Sequence, residues 1–261
     1  RSNVLDQRRT PSTGLGGKLE LRPPVCEAHA LKLGADWRLA SGTMQEEPYS
    51  GVTGIATARR RAGGRNSDLG LFVEDDWTLG NLVLTAGLRA DRWTVRNGYF
   101  REANPAGVVT VNNRFANRSG WATSVRGGAV WRADNGLSLR AAGYTGLRLP
   151  TLNELYRPFT VFPVTTRANA ALANERLRGF DAGIDYAPSD ALSFSLTLFD
   201  NRVKNAVANV TIGPNLRERR NVGAVRAKGV ELAAGFALGT LRFDGSLALT
   251  DAELQASGLS A

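Results

Sequence analysis

Six side chains in this sequence have the charge and ring chemistry to hold an anionic or aromatic ligand: Tyr99, Arg101, Tyr144, Arg148, Tyr156 and Arg157. Arginine offers a planar fork of donors and tyrosine a π face with a hydroxyl, so together they suit such a ligand by charge and by stacking. Arg114, Arg118 and Arg167, beside Phe100, Phe159 and Phe162, extend the same chemistry, and Arg59, Arg60, Arg61 and Arg65 form a local basic run suited to phosphates. Other chemistry is scarce. A single histidine (His29) and a single cysteine (Cys26) leave no disulfide framework and no multi-His or Cys-cluster metal site. No catalytic residue, metal site or cofactor is expected.

The elements that must position these residues are strands. Leu82, Leu84, Ala86, Leu88 and Ala90 alternate with Val83, Thr85, Gly87, Arg89 and Asp91, the period of two that puts successive side chains on opposite faces. The same pattern recurs in Leu31–Leu39, Leu137–Leu149, Leu192–Asn201 and Leu241–Thr250. These runs reach about 10 residues or more, where soluble strands average about 5 to 6. Tight-turn residues separate some of them, at 77–81, 133–136 and 188–191, and longer polar segments separate others, at 46–66, 97–120, 151–174 and 206–220. Alternating short and long connections between long strands predict an all-β fold, an antiparallel transmembrane β-barrel with short periplasmic turns and long outer loops. About ten to twelve strands are expected, and no useful helical period is present. Charged residues on one face, Arg89, Asp91, Arg140, Asp181, Asp185, Glu231 and Asp244, are expected to line a polar lumen and pair across strands; the Leu-rich face is expected to meet lipid. Trp37, Trp77, Trp131 and Tyr186 stand near strand ends, where aromatic girdles belong.

Charge and length agree with this reading. The 261 residues carry 33 Lys and Arg against 24 Asp and Glu, a formal net charge of +9. That excess is spread along the chain rather than gathered on one stripe, so no nucleic acid is expected as a partner. No stretch approaches the roughly 18 apolar residues of a membrane helix, and the opening residues lack the apolar core of a signal peptide.

Four stretches resemble the barrel of the TonB-dependent outer-membrane receptors. Gly143-Tyr144-Thr145-Gly146-Leu147-Arg148-Leu149-Pro150-Thr151-Leu152-Asn153-Glu154-Leu155-Tyr156 is similar to the family's strand-to-loop pattern, with Gly146, Arg148, Pro150, Thr151, Glu154, Leu155 and Tyr156 on the motif. Leu147 and Leu149 replace its usual Phe and Ala. Asn169–Glu175 and Gly179–Gly183 resemble the segment opening the next descending strand, with Ala170 and Asn174 in place of two prolines. Asn221, Gly229 and Glu231 keep the spacing of a third motif. Glu74–Leu79 with Gly87–Asp91 looks like the family's acidic-Trp hairpin.

The resemblance implies part of a barrel of about 22 strands that imports a scarce nutrient, a ferric siderophore above all, across the Gram-negative outer membrane. It implies a plug inside the lumen, energy from the TonB complex acting on a segment before that plug, and contact with outer-membrane lipid and lipopolysaccharide. No plug, TonB-binding motif or closing aromatic-ended strand is found here. Residues 1–261 are therefore expected to be a partial barrel domain, an internal fragment of its parent. A passive porin or another outer-membrane barrel remains the alternative, and a barrel enzyme is disfavoured by the lone His29 at a turn.

Overall fold

Residues that alternate over long runs form strands apolar on one face only, and here they join into one sheet. The computed structural model describes residues 5–255. Its strands are Leu5–Arg9 (β1), Ser12–Leu21 (β2), His29–Pro48 (β3), Arg59–Leu79 (β4), Leu82–Ala103 (β5), Val109–Arg114 (β6), Arg118–Arg132 (β7), Leu137–Arg148 (β8), Phe159–Val161 (β9), Val164–Arg167 (β10), Glu175–Ser189 (β11), Leu192–Gly213 (β12), Leu216–Leu238 (β13) and Leu241–Gln255 (β14); one helical turn, Leu152–Tyr156 (α1), lies between β8 and β9. The long strands pair antiparallel in the order β2-β3-β4-β5-β7-β8-β11-β12-β13-β14. Strand β1 continues the line of β2 along β3, β6 folds back on β5, and β10 adds in parallel to the start of β13. Among the described residues the sheet does not close, for β2 and β14 each pair on one side only. The expectations for the chain's first residues and its C-terminal end fall on 1–4 and 256–261, outside the described residues.

The short turns stand where tight-turn chemistry puts them, at Gly80-Asn81, 133–136 and Asp190-Ala191. The opposite end departs from expectation. Residues 206–220 are not a long loop: β12 and β13 run on through them and meet at Pro214 and Asn215, the latter at φ 54°. The 46–66 loop shrinks to 49–58, so Arg59, Arg60, Arg61 and Arg65 belong to β4. Within 97–120, β5 runs to Ala103, carrying Tyr99 and Arg101, β6 fills 109–114 and β7 starts at Arg118. The physical reason is common to all three. Ladder hydrogen bonds continue past the apolar band, where apolar and polar residues mix on both faces and alternation no longer marks the strand. One helix also appears where none was expected, and its five residues are too few to show a period.

Sidedness follows the sequence. One face, here called inner because the 149–174 segment lies on it, carries cross-strand ion pairs. Arg89 reaches Asp36 at 2.5 Å and Asp91 at 2.6 Å, Lys32 reaches Glu74 and Asp76 at 3.0 and 2.9 Å, and Arg140 reaches Asp185 at 2.9 Å. The outer face is apolar and open. Leu71, Leu88, Val125, Leu198, Leu247 and Leu249 are each half or more exposed, a wasteful arrangement in water and the expected one in lipid. Trp77 and Trp131 flank this face at the turn end. Trp37 shares a row with Leu69, Arg92 and Trp121 farther up. Trp77 to Leu69 takes nine residues of β4, within the roughly 9–11 that a strand tilted by about 45° needs to cross a bilayer.

Candidate functional site

The segment joining β8 to β11, residues 149–174, folds onto the inner face instead of standing free. Pro150, which is buried, ends the β8 ladder because it has no N–H to donate. Thr151 then caps α1. Its hydroxyl accepts the Glu154 N–H at 3.2 Å and the Glu154 carboxylate accepts the Thr151 N–H at 2.7 Å, a reciprocal capping box. The same carboxylate accepts two bonds from Arg148, at 3.1 and 3.2 Å, and Arg148 also pairs with Glu175 at the start of β11. One guanidinium thereby ties the beginning of the segment to its end. Burial opposes ionisation of Glu154, but Arg148 and Thr151 outweigh it and hold the carboxyl below the usual glutamate range.

Beyond the cap, α1 lies over β4 and β5. Leu155 and Tyr156 are buried with Met44, Ala62, Val95 and Leu172 in the principal apolar cluster. Two glycines form the floor beneath the Tyr156 ring: a Cβ at Gly64 would stand 2.9 Å from it, and one at Gly98 would overlap it. The ring stacks on Phe115 with centroids 5.0 Å apart, and burial pushes its phenol pKa up. Arg157 donates to Glu46 of β3 at 2.9 Å, and that carboxylate is 1% exposed.

The segment's main-chain carbonyls are met by side chains from other strands. Arg118 of β7 donates to the carbonyls of Ala170 and Leu172 at 2.7 and 2.8 Å. Arg219 of β13 donates to those of Asn153 and, at 3.0 Å, Arg157, and lies 5.0 Å over the Phe159 ring. Asn169 reaches the Arg219 carbonyl at 3.0 Å, and Asn221 accepts the Ala173 N–H and donates to the Ala173 carbonyl at 2.8 and 3.1 Å. Buried backbone groups need partners, and five strands (β3, β7, β8, β11 and β13) contribute the side chains that hold this segment.

Of the residues singled out in the sequence, Arg118, Arg148, Pro150, Thr151, Glu154, Leu155, Tyr156, Arg157 and Asn221 meet in this one assembly. Gly146 lies in β8 beside Leu177, Gly229 lies under the Phe199 ring, and Glu231 is exposed on the inner face. Tyr144 is also on the inner face, its hydroxyl donating to Asn201 at 3.1 Å. It borders a depression lined by Lys18, Asp36, Phe72, Arg89 and Arg126. Tyr99 and Arg101 are elsewhere. A bulge at Asn97, φ 55°, shifts the β4–β5 register between Gly63 and Arg65. The shift turns Tyr99 and Arg101 to the outer face, opposite Gly63 and Arg61. Sequence reasoning did not single out Glu46 and Arg219. Arg219 stands in the run Arg217-Glu218-Arg219-Arg220, where nothing distinguishes it from its neighbours.

The sequence matches the family model described as TonB dependent receptor-like, beta-barrel, over residues 1–260. No curated protein matches the chain. Among solved structures it is similar to the copper transporter OprC, with 20% identity and TM-score 0.72 over 95% of this chain and 38% of that one. The ferric yersiniabactin uptake receptor FyuA from Yersinia pestis gives 11% identity and TM-score 0.71 over 98% and 38%. The FrpB iron transporter from Neisseria meningitidis gives 20% and 0.67 over 93% and 36%. The chain thus spans little more than a third of the length of these structures. With the family model matched along nearly the whole chain, this protein belongs to the TonB-dependent receptor-like β-barrel family.

Proposed function

We propose that this chain is a partial barrel domain in the wall of a Gram-negative outer-membrane receptor for active uptake of a scarce nutrient, with a ferric siderophore as the ligand class. The observation that carries the proposal is the 149–174 segment, fastened to the inner face by Arg148, Arg157, Arg118, Arg219 and Asn221. A passive pore needs only an open wall. A segment held by this many bonds gives the inner face a fixed polar relief beside Tyr144, which suits selective binding. In this reading Tyr144 touches the ligand by stacking, while Arg148, Tyr156 and Arg157 shape the site by holding the segment. Tyr99 and Arg101 serve the outer surface. The family resemblance adds a plug and the TonB complex as partners. Two of the three similar structures above carry iron in their names, which favours a ferric ligand over a copper one.

The test is uptake of radioactive iron in the organism that encodes the full-length protein, under iron limitation, with hydroxamate, catecholate and carboxylate siderophores supplied one at a time. Deleting the gene is expected to abolish uptake of one class, and deleting TonB to abolish the same class. Uptake by this protein that persists without TonB or a proton gradient would make it a passive pore and overturn the proposal.

A further inference from the structure

The sheet is not laddered along its whole height. Strand β7 pairs with β5 from Arg118 to Trp131, and β8 pairs with β11 from Leu137 to Arg148. Between β7 and β8 the ladder runs from Arg132 opposite Ser138 to Arg126 opposite Tyr144 and no farther. There a side chain stands in for it: Thr145 Oγ1 accepts the Val125 N–H at 2.8 Å and donates to the Val125 carbonyl at 3.4 Å. Above that point residues 119–124 of β7 and 146–148 of β8 have no ladder between them. The two sides are tied again at the top, where Arg118 donates to the carbonyls of Ala170 and Leu172 on the approach to β11. Thr145 below and Arg118 above thus frame a window in the sheet.

Register sets the depth of this window. Val125 stands in one row with Leu88, Val73 and Leu33, inside the apolar band. Trp121 stands in the row of Arg92, Leu69 and Trp37, at the band's upper edge. The lower half of the window therefore opens within the band, in the leaflet away from the short turns. A cavity lies on each side of its foot. The inner one, about 680 Å³, is edged by Lys18, Arg38 and Arg126, and the outer one, about 760 Å³, by Gly143 and Phe180; Val125, Tyr144 and Thr145 border both. Phe180 and Val125 are each more than half exposed on the outer side.

We propose that the ligand is amphiphilic, an anionic ferric chelate joined through an amide to a fatty acyl chain, with its head against Tyr144 and Arg126 and its tail passing through the window onto Val125 and Phe180. Arginine and tyrosine suit the head by charge and stacking, and burial of each methylene favours the tail. Strand edges in hydrocarbon need polar partners, and a linking amide brings one donor and one acceptor to that depth. A wholly polar chelate would leave the outer cavity empty, and a wholly apolar molecule would find charge in the inner one. A ligand polar at one end and apolar at the other fits both. The inference deepens the uptake function proposed above and rests on it.

The experiment is uptake of radioactive iron by the full-length receptor in its own organism under iron limitation. The probes are matched pairs of ferric hydroxamate, catecholate and carboxylate chelates, each pair identical in its head and differing by a tetradecanoyl amide. For the head that is imported, the acylated form is expected to be taken up at least tenfold more efficiently at limiting concentration. Thr145→Trp, which fills the foot of the window, is expected to bring that ratio close to one. Thr145→Cys in a background free of other cysteines, Cys26→Ser included, makes the same test independent of folding. Capping it with a bulky maleimide on intact cells, after the barrel has formed, is expected to collapse the ratio, and mock treatment to preserve it. Equal uptake of the two forms by wild type, or an acyl preference that survives the cap, would overturn the proposal. Import of a head with no acyl preference defeats this inference alone, whereas import of no chelate in either form defeats the receptor reading with it.

Discussion

At the scale of single residues, the ion pairs under the 149–174 segment differ in consequence from those on the strands. Glu46 is nearly fully buried and Arg157 is its ion-pair partner, so removing the arginine strands a buried charge. Arg157→Ala is expected to loosen the segment by about 3 kcal/mol or more, read as roughly hundredfold faster amide exchange in α1. Restoring neutrality with Glu46→Gln in the same chain should recover much of it. Glu154 makes the anchoring sensitive to acid. Its folded value lies below the ordinary 4.5, so its contribution is complete above that pH and is lost as pH falls through the lower folded value. Exchange in α1, corrected for intrinsic rate, should rise in that window in wild type and be insensitive there in Glu154→Gln. These residues differ in how plainly the sequence announces them. The spacing of Thr151 and Glu154 is a readable capping box, whereas the burial of Tyr156 depends on Gly64 and Gly98, far away in sequence, leaving room for its ring.

At the scale of elements, alternation marks a strand only while one of its faces is apolar. The stretch Leu82–Ala90 is legible for that reason, and the stretch 206–220, where Val207 and Val210 put apolar side chains among polar ones on both faces, reads as loop although its ladder is intact. The bulge at Asn97 is equally hidden: one extra residue in β5 reverses the facing of Tyr99 and Arg101, and nothing in their own types records it. The 149–174 segment shows the converse. Its polar composition reads as an outer loop, yet Arg118 and Arg219 supply the donors that let its carbonyls leave water. The floor under α1 can be tested directly. Gly98→Val would place carbon where the Tyr156 ring lies, so it is expected to expel α1 from the inner face. Limited proteolysis should then cut within 149–174 well before any strand is lost. Gly245→Ala, on β14 far from α1 and with open space for a Cβ, should leave the cleavage pattern unchanged.

At the scale of the whole molecule, the partition of charge and apolar surface between the two faces decides which side meets lipid. Ions such as Arg89 with Asp36 and Asp91 are on the face that also holds the folded segment, and the exposed leucines are on the other. This partition was legible from period two alone, because a strand that sets charges such as Arg89 and Asp91 on one face and Leu84 and Leu88 on the other cannot turn both faces to hydrocarbon. Strand β14 offers a paired test of it within one dipeptide. Ser246 and Leu247 lie opposite Ala233 and Leu232 on β13, at the same depth and on opposite faces, and Leu247 is 51% exposed. Leu247→Arg sets a guanidinium on the apolar band, where it costs about 2–4 kcal/mol near the midplane. Ser246→Arg sets the same group among inner-face charges, where water or a carboxylate can solvate it. In the full-length receptor refolded into short-chain phospholipid vesicles, Leu247→Arg is expected to lower folding free energy by that amount and Ser246→Arg to change it by less than about 1 kcal/mol. Equal losses from the two would mean that the outer face does not meet lipid, and the membrane reading of the sheet would fall with it.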